Sequence, residues 1–116
     1  MSYKIVPARH FNGEVKRLVK KYPSLKKELI ALLISLKVDP KQGNPLGDDV
    51  FKIRLAIKSK NKGKVGGARV ITFVHAANTT VFLIAIYSKG EKDDISDQEL
   101  QKLIQNLEKS KDQNSK

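Results

Sequence analysis

Three short blocks of this 116-residue chain set basic side chains where strands would present them. In Val50–Ile57 the alternation puts Phe51, Ile53 and Leu55 on one face of a half-buried strand and Lys52, Arg54 and Ala56 on the other. Arg69 opens a second β-rich run, Ala68–His75, and Tyr87, Ser88 and Lys89 close a third that begins at Thr80. In an antiparallel meander these strand ends are neighbours, so Lys52, Arg54 and Arg69 can gather on one face beside Tyr87 and Lys89. Lysine and arginine are costly to bury unpaired, so such a face is expected to be wet and to hold an anion, with Arg69 outside the core. What this set can do is phosphate chemistry. Arginine is permanently charged and its planar fork matches phosphate oxygens. A lysine crowded by other cations has its pKa lowered and becomes competent as a base or an acid. Which of Lys52 and Lys89 would take which role stays open.

Other chemistries lack their residues. There is no cysteine, His10 and His75 are the only histidines, and no Asp, Glu and His cluster has metal-ligand spacing. Asp93 and Asp94 are adjacent and read as solvated. Lys62-Gly63-Lys64-Val65-Gly66-Gly67 departs from the phosphate-loop pattern and is followed by a strand-like run, not a helix. His10 reads as local to the first helix, and His75 as a strand-edge or turn residue. No metal and no small-molecule cofactor is expected.

The charge balance points to a polyanionic partner. Lys plus Arg number 23 against 12 acids, a net charge of +11. The excess is +6 in residues 1–36 and +6 in residues 37–69, whereas residues 70–116 carry −1. A surface biased in this way attracts a nucleic-acid backbone. Lys58, Lys60, Lys62 and Lys64 lie in a basic, glycine-containing connection, and Lys16, Lys20, Lys26 and Lys27 on helix faces. Each is either a solvated surface charge or an RNA contact. No apolar run is long enough for a membrane span, and the N-terminus lacks a signal-peptide apolar region. A cytoplasmic location without membrane contact is expected.

The elements that must position these residues follow from periodicity. Tyr3–Val6 reads as a short strand closed by Pro7. Phe11, Val15, Leu18, Val19 and Tyr22 form one helical stripe; Leu25, Leu29, Leu32, Leu33 and Leu36 form a second after Pro23, with Ser24 as N-cap. Two helices so closely joined predict a hairpin. Residues 38–49 hold Pro40, Gly43, Asn44, Pro45 and Gly47 and read as a loop, and residues 76–79 as a hairpin turn. Thr80–Tyr87 is apolar on both faces, as an interior strand would be. Ser96-Asp97-Gln98-Glu99 is a capping box opening a last helix with Leu100, Leu103, Ile104 and Leu107 on its apolar side. The prediction is one α+β domain over residues 1–109, in the order βααβββα: a small antiparallel sheet, an N-terminal helical hairpin and a C-terminal helix, with the helices on one face. Residues 110–116 read as a polar, disordered tail.

Phe51-Lys52-Ile53-Arg54-Leu55-Ala56, Gly63-Lys64-Val65-Gly66-Gly67-Ala68-Arg69-Val70-Ile71 and Ile84-Ala85-Ile86-Tyr87-Ser88-Lys89 resemble the three blocks of the RelE/ParE toxin superfamily. The likeness is greatest to its HigB-like branch, with K-x-R, G-K-x-G-G-x-R-V-I and I-Y-x-K followed by an acidic segment that caps a helix. Asp93-Asp94-Ile95-Ser96 fits that segment, and Tyr22-Pro23-Ser24-Leu25 fits the helix junction. The resemblance implies a toxin of a type II toxin–antitoxin pair that enters the ribosome and cleaves mRNA there, and that a cognate antitoxin neutralises. It implies that Lys52, Arg54 and Arg69 stand at basic active-site positions and that Lys89 is the basic residue after the last core strand. Some members carry a catalytic tyrosine in the C-terminal segment. This chain has no tyrosine after Tyr87, which substitutes only if the fold brings its hydroxyl into the site.

Two further readings remain open. A gyrase inhibitor of the ParE kind needs no phosphodiester chemistry, so the Lys52, Arg54 and Arg69 set favours a ribonuclease over it. A non-catalytic RNA-binding module would want exposed aromatic platforms, yet there is no Trp and most Phe and Tyr residues sit in apolar stripes.

Overall fold

The computed structural model describes residues 2–57, 66–92 and 94–114, with side chains as far as Leu107. The order is β1 (Lys4–Pro7), α1 (Arg9–Lys21), α2 (Leu25–Val38), β2 (Asn44–Gly47), β3 (Val50–Leu55), β4 (Ala68–His75), a short 3-10 turn (Ala76–Asn78), β5 (Thr80–Ser88) and α3 (Asp97–Asn114). The α+β class and the elements read from periodicity are all present. The helix α3 continues through part of the segment read as a polar tail.

Among the described residues the sheet has five strands in the order β1-β5-β4-β3-β2. It is mixed, not purely antiparallel: β1 pairs with β5 in parallel, Lys4 opposite Thr80 and Pro7 opposite Leu83. Proline has no amide proton to give a ladder, and Pro7 sits on an edge strand where none is needed on the outer side. The first strand reaches β5 only because α1 and α2 cross the sheet in between, a tertiary event that local patterning does not register.

Residues 38–49, expected to be loop, contain the fourth antiparallel partner, β2. Its pairing with β3 slips between Pro45 and Gly47. Asp48 and Asp49, both at positive φ (53° and 65°), turn the chain back in two residues, the backbone twist that a tight hairpin requires. Gly43 matters here. It lies at φ +89°, and a Cβ there would meet the Lys52 carbonyl oxygen at 2.3 Å. Glycine therefore lets this edge close on β3 beside Lys52.

Each face of the sheet has its own core. Phe11, Leu18, Leu25, Leu29, Leu32 and Leu36 of α1 and α2 pack on Ile53, Leu55, Val70, Val74, Val81, Leu83 and Ile86. On the opposite face, Val50, Ile71, Phe82, Ile84, Ala85 and Tyr87 meet Leu107, with Leu100, Leu103 and Ile104 of α3 against them. The expectation that all helices share one face is therefore corrected. β5, buried at every position, needs cover on both sides, and α3 supplies the second. The capping box forms as expected, the Glu99 amide donating to Ser96 Oγ at 3.1 Å and the Ser96 amide to Glu99 Oε1 at 3.4 Å. Ser24 stands at the N-cap of α2, but its backbone is already helical and its side chain makes no capping bond.

Between β4 and β5 the register shifts: Ile71 faces Ala85 and Thr72 faces Leu83, leaving Ile84 as an extra residue. A bulge of this kind reverses the alternation of everything beyond it. Val81 and Leu83 belong to the α1/α2 face, Ile84 and Ala85 both belong to the α3 face, and Tyr87 follows onto that face. Had β5 kept unbroken alternation, Tyr87 would share a face with Leu83.

Candidate active site

The bulge decides where the phenol goes. Downstream of it, Arg54, Arg69 and Tyr87 stand opposite one another on β3, β4 and β5, one row across three strands. Lys52 lies two residues along β3, level with Ile71 and Ala85, on the same face. The convergence expected from strand parity is thus present for four residues. Lys89 follows directly after β5, its amide donating to the Gly67 carbonyl at 2.9 Å, which keeps it beside the opening of β4.

Their environments differ. Arg54 is exposed and Lys52 half-buried. Arg69 is 5% exposed, which corrects the expectation that a charged residue at a strand start lies outside the core. The strand it starts is the centre of the sheet, with β3 and β5 on its two sides, so position along the strand does not expose it. Its guanidinium donates to the carbonyl of Ala68 at 3.2 Å. An arginine fixed this deeply supplies a charge that does not wander.

The residue that sequence reasoning set aside is Asp94. Its Oδ1 accepts hydrogen bonds from the Tyr87 hydroxyl at 3.0 Å and the Ile95 amide at 2.9 Å, and Lys52 Nζ lies 3.5 Å from the same oxygen. A carboxylate of the protein's own, itself largely exposed, thus stands against the edge of this cation-rich face. The signal for it was the capping box, which starts α3 just after Asp94 and so obliges this segment to cross back over the strand ends. Lys92 also reaches the site, its ammonium 5.9 Å from the centre of the Tyr87 ring. Lys92 is in turn ion-paired with Glu99.

These contacts shift protonation in consistent directions. Burial, then the hydrogen bond and charge of Asp94, push the Tyr87 phenol up to about 12, while the charge of Arg69 opposes them. Asp94 is held below the usual carboxylate range, first by the Ile95 amide and then by Tyr87 and Lys52. Beyond the site, Glu91 binds both Arg17, through its two oxygens at 3.0 Å, and Lys21 at 2.8 Å, tying the turn after β5 to α1. These two partners lower Glu91 to about 2.

Other candidates are not drawn in. Lys16, Lys20, Lys26 and Lys27 are exposed on α1 and α2, the helices of the opposite face. Lys58, Lys60, Lys62 and Lys64 lie outside the described residues. His75 is at the other end of β4, roughly 20 Å from Arg69 at about 3.3 Å per residue, and packs on Phe73 with ring centres 6.0 Å apart. Among the described residues no group of three or more His, Cys, Asp or Glu side chains could hold a metal ion, and no helix is long and apolar enough to cross a membrane.

Comparison with known proteins gives one family and one fold. A family model described as the RelE toxin of the RelE/RelB toxin-antitoxin system matches residues 10–115. Among solved structures, an arginine double mutant of the E. coli toxin RelE in the free state superposes with a TM-score of 0.60 at 19% identity, over 80% of this chain and 90% of that one. The isolated E. coli RelE toxin gives 0.52 at 19% identity, over 91% and 99%. The intact E. coli RelBE toxin-antitoxin complex gives 0.50 at 22% identity, over 75% and 96%. At such identities the structural likeness speaks for the fold.

Proposed function

The chain belongs to the RelE toxin family, and from that premise we propose that it is a ribosome-dependent endoribonuclease that cleaves mRNA without a metal and so stops translation. The observation that carries this reading is the row Arg54, Arg69 and Tyr87 with Lys52 beside it on one sheet face. Cleavage by the ribose 2′-OH needs that hydroxyl deprotonated, the dianionic phosphorane stabilised and the 5′ oxygen protonated. Arg69 and Arg54 suit the second task as permanent cations, one buried and one reaching solvent. Tyr87, Lys52 and Lys89 are the groups available for proton transfer. The K-x-R, G-G-x-R and I-Y-x-K blocks favour the HigB-like branch within the family. A cognate antitoxin is the expected partner, with apolar anchors and acids that cover or distort this cationic face. The exposed lysines of α1 and α2 are the proposed contacts to ribosomal RNA, and by charge alone Lys58, Lys60, Lys62 and Lys64 are proposed to add to them.

Expression of the protein followed by mapping of mRNA 5′ ends tests the reading. New ends in translated messages are expected, dependent on ribosomes and unchanged by EDTA at concentrations that leave ribosomes intact. Gyrase-linked DNA breaks without mRNA ends would instead identify a gyrase inhibitor. RNA binding with neither product would identify a non-catalytic module.

A further inference from the structure

Lys52 and Tyr87 are not natural neighbours. Their strands are two apart in the sheet, roughly 10 Å at about 4.8 Å per strand, and Lys52 is offset by two residues from the row that contains Tyr87. Nothing in the strand ladder brings the ammonium and the phenol to one point. One oxygen of Asp94 does, with Tyr87 Oη at 3.0 Å and Lys52 Nζ at 3.5 Å. That oxygen is itself anchored, because the amide of Ile95 donates to it at 2.9 Å. The residue then leads into Ser96 and the cap of α3, whose axis is set by its own packing on the sheet.

Resting on the reading above, we propose that Asp94 is a positioning residue of the active site, fixing the Tyr87 hydroxyl and drawing Lys52 across the sheet into the arrangement that receives the RNA. The direction of the hydrogen bond gives this a chemical content. The Tyr87 hydroxyl donates to the carboxylate, so its proton is committed, and with the Ile95 amide also reaching the phenol oxygen a remaining lone pair is what it offers to the substrate. Tyr87 therefore meets the ribose 2′-OH as a hydrogen-bond acceptor. Without Asp94 the phenol would rotate and donate to whichever phosphate oxygen it met, and Lys52 would relax along β3. The charged groups around Tyr87 are Lys52 on β3, Arg54 beside it, Arg69 on β4, and Lys92 and Asp94 in the segment before α3. Asp94 is the only carboxylate among the described residues hydrogen-bonded to the phenol.

Asp94 precedes the capping box, so Asp94→Ala and Asp94→Asn leave the start of α3 intact. Both variants are to be made alone and in a Tyr87→Phe background, with folding verified by circular dichroism. Asp94→Ala is expected to lower kcat for ribosome-dependent mRNA cleavage by about tenfold or more with a smaller change in KM. Asp94→Asn, whose amide oxygen still accepts the hydrogen bond, is expected to recover part of that loss. In the Tyr87→Phe background Asp94→Ala is expected to add little, since the two act as a unit. A spectrophotometric titration, taken as the difference from Tyr87→Phe to isolate this phenol from Tyr3 and Tyr22, reads the contact without any reaction. In Asp94→Ala the phenol should titrate below the value of about 12 yet above the ordinary one, because burial, the larger cause, remains. An unchanged titration in folded Asp94→Ala, or a loss of activity that is fully additive with Tyr87→Phe, overturns the proposal. Should wild-type protein leave mRNA intact, the ribonuclease reading fails on that measurement alone, and the titration still decides whether Asp94 holds Tyr87.

Discussion

Where α1 and α2 cover the sheet, leucines at helical spacing meet branched strand residues, and the layer is apolar from Phe11 to Ile86. Where α3 covers it, the apolar layer stops short of the strand ends, and Lys52, Arg54 and Arg69 take over beside Tyr87. The same strands serve both faces, because alternate residues belong to different layers. On the proposed reading, packing and chemistry fall to different residues, even between adjacent positions such as buried Ile53 and exposed Arg54. The dry face is closed by two helices; the other gives part of its area to charges.

That contrast breaks most easily from the dry side. Leu18 is fully buried in α1, and Leu18→Ala is expected to cost about 2–5 kcal/mol in a denaturant melt while the folded fraction keeps its activity. Arg54→Ala should do the reverse. The side chain is exposed, so stability should stay within about 0.5 kcal/mol, while mRNA cleavage falls about a hundredfold, the usual cost of removing one donor to a transition-state anion. Equal losses of stability in the two variants would erase the distinction between the faces.

A finer probe is Thr72, wholly buried in β4, whose hydroxyl has no hydrogen-bond partner among the described residues. Thr72→Val keeps the shape and removes the orphaned polar atom, so a gain of about 1 kcal/mol in the same melt is expected. The smallest effect concerns Glu91, which ties the turn after β5 to Arg17 and Lys21. Its native value of about 2 lies below the ordinary 4.5, so these ion pairs stabilise fully above the ordinary carboxylate range and lose their contribution as pH falls toward 2. Because the groups are solvent-screened, Glu91→Gln should lower stability by less than about 1 kcal/mol at pH 7. The difference from wild type should shrink in melts below about pH 4.

Local patterning carried the helices, the three long strands, the capping box and the grouping of Lys52 with Arg54, because each depends on residues close in sequence. What it did not carry depends on neighbours distant in sequence. β1 lies parallel beside β5, and β2 forms within a Pro- and Gly-containing stretch because β3 offers it an edge. The side taken by α3 was half legible: an all-apolar β5 requires cover on both faces, and that requirement conflicts with placing every helix on one. Arg69 looked exposed from its place along the strand and is buried by its place across the sheet. Asp94 is the solvated acid its sequence context suggests, largely exposed, yet the return path of the chain also brings Tyr87 and Lys52 to it, which local patterning does not register.

The extra residue at Ile84 has a consequence beyond this chain. A strand alternates like a binary digit, and one inserted residue inverts every bit after it. Deleting a single residue from the bulge would turn Tyr87 inward among the leucines and bring the buried hydroxyl side of Ser88 toward the cations. A relative whose last strand runs without the insertion would present the opposite set of side chains to the cationic face. Which side chains face the cations in such proteins should therefore covary with whether that strand counts an odd or an even number of residues.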